Sequence, residues 1–487
     1  MKTKTLSLIL LILPLLLQAQ DLKTGLLGGT DLVTRHSQNS LDLYRFTGNS
    51  AFLMQSEIQN YTQIYLNGGH GLGDFHREYD PRSQRDYQTH VEGIKHLSSR
   101  QAFWGRVDYD IQKWQDRPYA LELNPYNDDP IMTADTTVGN FSTHGPEVTT
   151  RYQLQLNQKL GLGAKINYQI LQSIKDRYVR GRILRRNFAA QIAVVYQLLP
   201  NLHVGSYFEY RDLQDELEMK RSEVDGVDPL VKRFRSELVF WQTSGNPIQH
   251  VDRYYDSHLN VAVQHASPSG RFVQILAADY IYHHANAFDK KSKKYYDSDW
   301  YADDYRFAYE NRLTSWRNGM DAGIRLTGRY QKSYSQHPSL PILITERRLN
   351  EFTVAIGLSR LFHTGKNPFT LYFQPELQWL KDDYQDYQSK IDREVKNSYW
   401  KLKLAGEWKV SPIHRLLGGW QFGKFKRSDY SPRYLPDYQN FAFSLGISEE
   451  RESFNYLLGL RFSLMEEADS SRQFSVYQIS FSTRILN

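Results

Sequence analysis

Cysteine is absent from all 487 residues. Without a thiol there is no disulfide framework, no thiolate zinc or iron–sulfur site, no cysteine nucleophile and no lipidated N-terminal cysteine. After the first segment the chain also lacks any apolar run of the roughly 18 residues that mark a membrane helix. Mean hydropathy is −0.61, so a bundle of membrane helices is excluded. Neither sign of charge dominates. The formal net charge of +6 is small for this length and gathers into no basic stripe, which argues against nucleic acid as a partner. Catalytic signatures are missing as well: there is no Gly-x-Ser-x-Gly elbow, no His-Glu-x-x-His pair and no phosphate-binding Gly-Lys-Ser/Thr loop. What the chain has in abundance is aromatic residues, 14% of the total beside 23% charged, too much apolar surface for a disordered polypeptide.

The first segment reads as an address. Lys2 and Lys4 precede the apolar stretch Leu6 to Leu17, and Ala19 supplies a small residue for cleavage. Residues 1–19 are therefore expected to be a signal peptide, residues 20–50 a periplasmic extension or partial plug, and residues 51–487 an outer-membrane barrel.

The rest of the chain alternates with period two. Leu160, Leu162, Ala164, Ile166, Tyr168 and Ile170 fall on one side of a ribbon, and Gly161, Gly163, Lys165, Asn167 and Gln169 on the other. Phe188 to Leu198 and Leu202 to Tyr210 repeat the scheme across Pro200-Asn201. Segments of about 10–12 residues suit strands tilted across an outer membrane, whereas soluble sandwiches use strands of about 5–6. Tight links are expected at 98–100, 157–159, 199–201, 267–270, 315–319, 361–367, 411–414 and 449–453. Long polar connections are expected near 68–85, 116–146, 172–186, 212–253, 285–299, 331–347, 381–397 and 426–437. Short turns at one end and long loops at the other predict a closed antiparallel transmembrane β-barrel of about 18 strands, with 16 allowed because 232–266 is ambiguous. Aromatics such as Tyr305, Trp379, Trp400 and Trp408 are placed to form girdles at the two interfaces.

These hairpins, the ending Leu17-Gln18-Ala19-Gln20 and the aromatic terminal strand around Phe481 resemble those of Bacteroidota-type outer-membrane β-barrel proteins, among them families of unknown function. The final Ile485-Leu486-Asn487 departs from the terminal Phe common in such barrels. Residues 44–54 resemble the Asn-Pro-Ala segment of fatty-acid-transporter-like barrels, with Ser50 in place of Pro. The resemblance implies integral residence in the outer membrane.

A charge facing lipid at the midplane costs about 2–4 kcal/mol, so the charged phase of each strand is expected to face the lumen. The lumen-lining candidates are Arg306, Glu310, Arg312, Asp321, Arg325, Arg329, Lys401, Lys403, Glu407 and Lys409. Four arginines on neighbouring strands could form an anion ladder, but Glu310 and Asp321 interleave with them and read as a neutralising lattice. Two oxygen-rich loops, one with Asn124, Asn127, Asp128, Asp129 and Asp135, the other with Asp297, Asp299, Asp303 and Asp304, lack calcium-loop spacing and read as solvated tips. Lys290, Lys291, Lys293 and Lys294 are candidates for lipopolysaccharide phosphates. Asp279, His283 and His284 lie near one rim, yet chance proximity among 15 histidines explains them better than a hydrolase does. No enzyme, cofactor or metal is expected. The partners expected are outer-membrane lipid and lipopolysaccharide, with a TonB-dependent receptor or surface lipoprotein as a further candidate. The function expected is a channel or transport accessory for polar solutes, the alternative an occluded barrel serving as a docking component of a surface complex.

Overall fold

Along the barrel strands, large exposed apolar side chains alternate with buried polar or small ones. On the strand from Gly181 to Leu199, Phe188, Ile192, Val194 and Tyr196 are exposed, while Ala189, Gln191, Ala193 and Val195 are buried. In water this arrangement would be inside out. It is stable when the greasy face meets hydrocarbon and the polar face is enclosed, and it requires a sheet with no open edge.

The computed structural model describes residues 47–486 apart from 56–59, 119–120, 127–130, 136, 177–180, 220–229, 235–239, 243–248, 290–294, 315–319, 338–339, 341, 364–366, 388–389, 430, 432 and 452–453. Its strands are β1 (Tyr61–Gly73), β2 (Ser83–Ser98), β3 (Gln101–Arg117), β4 (Ile131–Asp135), β5 (Gly139–Gln155), β6 (Leu160–Lys175) and β7 (Gly181–Leu199). They continue as β8 (Leu202–Met219), β9 (Leu230–Phe234), β10 (Phe240–Gln242), β11 (Gln249–Ala266), β12 (Phe272–Asp289), β13 (Tyr295–Leu313) and β14 (Met320–Gln336). The last are β15 (Leu343–Phe362), β16 (Phe369–Asp386), β17 (Ile391–Lys409), β18 (His414–Arg427), β19 (Tyr438–Glu450), β20 (Phe454–Glu467) and β21 (Gln473–Leu486).

All but β4, β9 and β10 belong to one 18-stranded antiparallel sheet in which each strand pairs with the next. Tyr61 on β1 stands opposite Leu486 on β21, and this pairing closes the barrel. Strands β4, β9 and β10 form a separate 3-stranded sheet within the β3–β5 and β8–β11 connections. Both wall termini lie at the end with short turns, the periplasmic end of such barrels.

The expected tight links fall between successive strands to within about two residues, and of them 315–319, 364–366 and 452–453 lie outside the described residues. Strand length is a correction: the barrel strands run from 13 to 20 residues instead of 10–12. The backbone ladder continues past the hydrocarbon, because pairing costs nothing in water once the register is set, and the outer face there turns polar. Much of 212–253, 285–299, 331–347 and 381–397, expected as loop, is therefore strand. Residues 51–55 are not strand; Ser50–Gln55 forms a short 3-10 helix inside the barrel.

Candidate functional site

Two layers of structure define the lumen. The first is its wall of charges, and Glu310 on β13 is one hub. Its carboxylate is wholly buried and accepts hydrogen bonds from Arg312 Nε at 2.5 Å and from Arg325 Nε on β14 at 2.7 Å. Asp304, also wholly buried, is a second hub, held by Arg306 Nη2 at 2.6 Å and Arg329 Nη2 at 2.9 Å. The four arginines are thus bound to acids along the wall. Asp321 accepts from Ser359 Oγ at 3.4 Å. On β16 and β17, Glu376 holds Lys401 at 2.5 Å and Lys403 at 3.4 Å. Glu407 is paired with Arg415 and accepts from the Tyr372 hydroxyl at 3.2 Å. Lys409 stands opposite Arg415 at the periplasmic end and forms no ion pair among the described residues.

Asp304 is expected from its surroundings in sequence to lie in a solvated loop tip. Asp299, Asp303 and Asp304 belong instead to β13, and Asp304 points inward because it shares parity with Arg306 and Glu310. That parity was the signal available to find it. Asp303 lies on the other face and accepts from the Tyr280 hydroxyl at 2.7 Å. Of the first loop set, Asn127, Asp128 and Asp129 lie outside the described residues, as do Lys290, Lys291, Lys293 and Lys294. The rim trio does not assemble. His283 pairs with Asp256 at 2.6 Å, Asp279 pairs with His258 at 2.7 Å, and His284 stacks on Tyr301 with centroids 4.6 Å apart. Among the described residues no group of His, Cys, Asp and Glu could hold a metal ion.

The second layer is chain that enters the lumen from either end. At the periplasmic end, Asn49, Ser50, Ala51, Phe52 and Leu53 are at most 1% exposed. Ser50 N donates to Gln191 Oε1 at 3.1 Å, Met54 N to Gln153 Oε1 at 2.5 Å, and Asn49 Nδ2 to Ser206 O at 3.2 Å. Phe52 and Leu53 join a buried apolar cluster with Trp104, Val195, Tyr207 and Ile275, drawn from several strands. Burying each of these two side chains contributes about 1.5–3 kcal/mol, enough with the hydrogen bonds to hold a short segment. Two lumen-facing glycines make the room. A Cβ on Gly163 would lie 2.3 Å from Ala51 N, and one on Gly205 would lie 2.4 Å from the Phe52 ring.

At the other end, loop residues fold inward. Leu121 packs with Phe141, Ile183 and Leu217 on the lumen face, and Phe75 meets Tyr438 with ring centroids 5.8 Å apart. Tyr79 N donates to Tyr126 Oη at 2.8 Å, and burial pushes the Tyr126 phenol well above its usual range. Tyr434 reaches down to donate to Asp382 Oδ2 at 2.9 Å, where Arg347 Nε also binds Asp382, at 2.6 Å. Burial likewise raises the Tyr434 phenol.

A family model described as a family of unknown function, DUF6850, matches residues 50–457. The chain belongs to the DUF6850 family. No curated protein matches it in sequence. Among solved structures, this DUF6850 barrel is similar to the outer membrane transporter YddB from Escherichia coli, at 8% identity and TM-score 0.41, covering 88% of this chain and 81% of that one. It is similar to BauA, the ferric preacinetobactin receptor from Acinetobacter baumannii, at 8% identity and TM-score 0.40 over 88% and 80% of the two chains. The CymD monoaromatic hydrocarbon channel matches at 9% identity and TM-score 0.33 over 92% and 94%. Scores of this size carry no argument about cargo. The DUF6850 chain's own geometry, a closed sheet with an apolar exterior and a polar interior, makes it a barrel of the outer-membrane type.

Proposed function

We propose that this barrel is a conduit for polar solutes whose resting state is held shut from the periplasmic side by residues 49–53. One observation carries the reading: the segment is seated by hydrogen bonds to wall side chains and by packing over Gly163 and Gly205, contacts separate from the backbone ladder that holds the wall. The paired charges of the wall would offer a passing solute fixed donors and acceptors instead of bare charge, which suits neutral or zwitterionic polar cargo better than a strongly charged ion. At 18 strands the enclosed cylinder is wide enough for an aqueous path once its obstructions move.

Closure at the outer end supports a second reading. Leu121, Phe75 and Tyr434 all turn inward. A barrel blocked at both ends would serve as a docking component beside a TonB-dependent receptor or surface lipoprotein. Planar-bilayer recording of the full chain and of a chain lacking residues 47–55 separates the two. Current that rises on removal of the segment supports the conduit. Silence from both forms at every voltage rejects it, and affinity isolation from native membranes then tests docking.

A further inference from the structure

The outer wall carries a feature that a smooth barrel would lack. A furrow of about 1020 Å³ runs around the exterior across seven strands, from β12 to β18. Its floor is the backbone of one register row, from Asp279 opposite Arg306 to Asn397 opposite Arg427, whose side chains turn to the lumen. Its two banks are the rows above and below, whose side chains turn outward. Seven strands spaced about 4.8 Å apart give it a length of roughly 30 Å. The row climbs from the periplasmic-side half of β12 and β13, at Asp279 and Arg306, to the last residue of β18, Arg427, so the lysine half lies at the ends that bear the long loops and the aromatic half lies deeper in the hydrocarbon.

The two halves of the furrow differ in chemistry. Over β13 to β16 the banks are Tyr305, Phe307, Tyr330, Phe352 and Trp379, with Tyr305 stacked toward Tyr330 at 6.3 Å and Phe352 toward Trp379 at 6.1 Å. Over β16 to β18 they are Lys381, Lys396 and Lys426, with Ser398 and Ser428 between them. Lys381 and Lys396 stand directly opposite each other in the register, an arrangement that repels. Glu394 lies between them at 2.7 and 2.5 Å, and Asp383 is 3.0 Å from Lys381. Those two acids balance those two lysines. Lys426, and Lys424 below it on the same face, have no ion pair among the described residues. An outward lysine at this depth is costly unless it reaches an anion at the headgroup level.

We propose that this furrow is a binding site for a phosphorylated glycolipid of the outer leaflet, with a phosphate on Lys426, Lys396 and Lys381 and the sugar rings and proximal acyl chains along the aromatic bank. The excess of cations over acids calls for an anion. Apolar rings adjoining that charge call for a ligand with a sugar or acyl face beside its phosphate, and the length exceeds what a single glycerophospholipid headgroup would occupy. The site does not depend on what crosses the lumen.

Binding is measured by native mass spectrometry of the delipidated full chain in detergent, titrated with bis-phosphorylated lipid A, with its dephosphorylated form, and with phosphatidylglycerol. The wild-type barrel is expected to retain bis-phosphorylated lipid A in preference to the other two. A surface lysine contributes about fivefold, so the triple variant Lys381→Gln, Lys396→Gln, Lys426→Gln should weaken binding on the order of a hundredfold. Lys426→Gln alone, which breaks no ion pair and leaves folding intact, should weaken it about fivefold. Lys95→Gln with Lys113→Gln, on distant exposed positions, should change nothing. Equal retention by wild type and by both furrow variants, or phosphatidylglycerol held as tightly as lipid A, would overturn the proposal.

Discussion

Gly163 lies directly beneath Ala51: a methyl group on its α-carbon would stand 2.3 Å from the Ala51 amide nitrogen. A glycine in a strand forfeits packing and chain entropy, a cost of about 0.5–1 kcal/mol relative to alanine, and here it makes room for a segment about 110 positions earlier in the chain. Gly205, beneath the Phe52 ring, does the same on β8.

Replacing these glycines should unseat the segment and spare the wall. Gly163→Val and Gly205→Val are each expected to raise bilayer conductance above wild type and to expose residues 47–55 to added protease, while heat-modifiable migration on gels stays that of a folded barrel. Unchanged conductance together with protease cleavage at the segment would detach plugging from gating.

The Glu310 hub should be costly to break. Glu310→Ala removes a wholly buried carboxylate that binds both Arg312, which is 2% exposed, and Arg325. Removing one member of a buried pair typically destabilises by about 3–5 kcal/mol. Denaturant unfolding in lipid vesicles should show a loss of that size. A double-mutant cycle between Glu310→Ala and Arg325→Ala should return a coupling of about 1–3 kcal/mol.

Lipid contact makes a depth-dependent prediction. Ile192 on the outer face of β7 is 70% exposed, and Leu199 at the periplasmic turn of the same strand is 55% exposed. Ile192→Arg should destabilise insertion into vesicles by about 2–4 kcal/mol and Leu199→Arg by about 0–1 kcal/mol. Equal effects at the two sites would mean that hydrocarbon is not what covers this face.

The extracellular cap should loosen in alkali. Burial raises the phenols of Tyr126 and Tyr434 above their value in the unfolded loop. A raised folded-state pKa contributes stability that is fully present below the unfolded value of about 10 and is lost as pH climbs through the folded one. Hydrogen exchange of the loops should therefore be pH-independent, after correction for intrinsic rates, up to about 10 and accelerate beyond it. Tyr434→Phe, which removes the hydrogen bond to Asp382, should cost about 1 kcal/mol of local protection and weaken this alkaline response.

Strand number, facing, turn positions and membrane residence could all be read from the order of residues. The cause is that a lipid-facing ribbon must alternate with period two and reverse in short turns, and both marks are local in the chain. Parity alone placed Arg306, Glu310, Arg325, Lys401 and Glu407 on the inner face. Which acid meets which base was not legible, because partners such as Asp304 and Arg329 sit on different strands and only the cross-strand register brings them together. Strand length was underestimated for a related reason: hydrogen-bond ladders persist above the bilayer where composition has already turned polar. The seating of Asn49 to Leu53 on Gly163 and Gly205, and the inward fold of Tyr434 onto Asp382, depend on closure of the sheet. Closure places a short segment and a distant wall in the same enclosed space, and no pattern along the sequence encodes that distance.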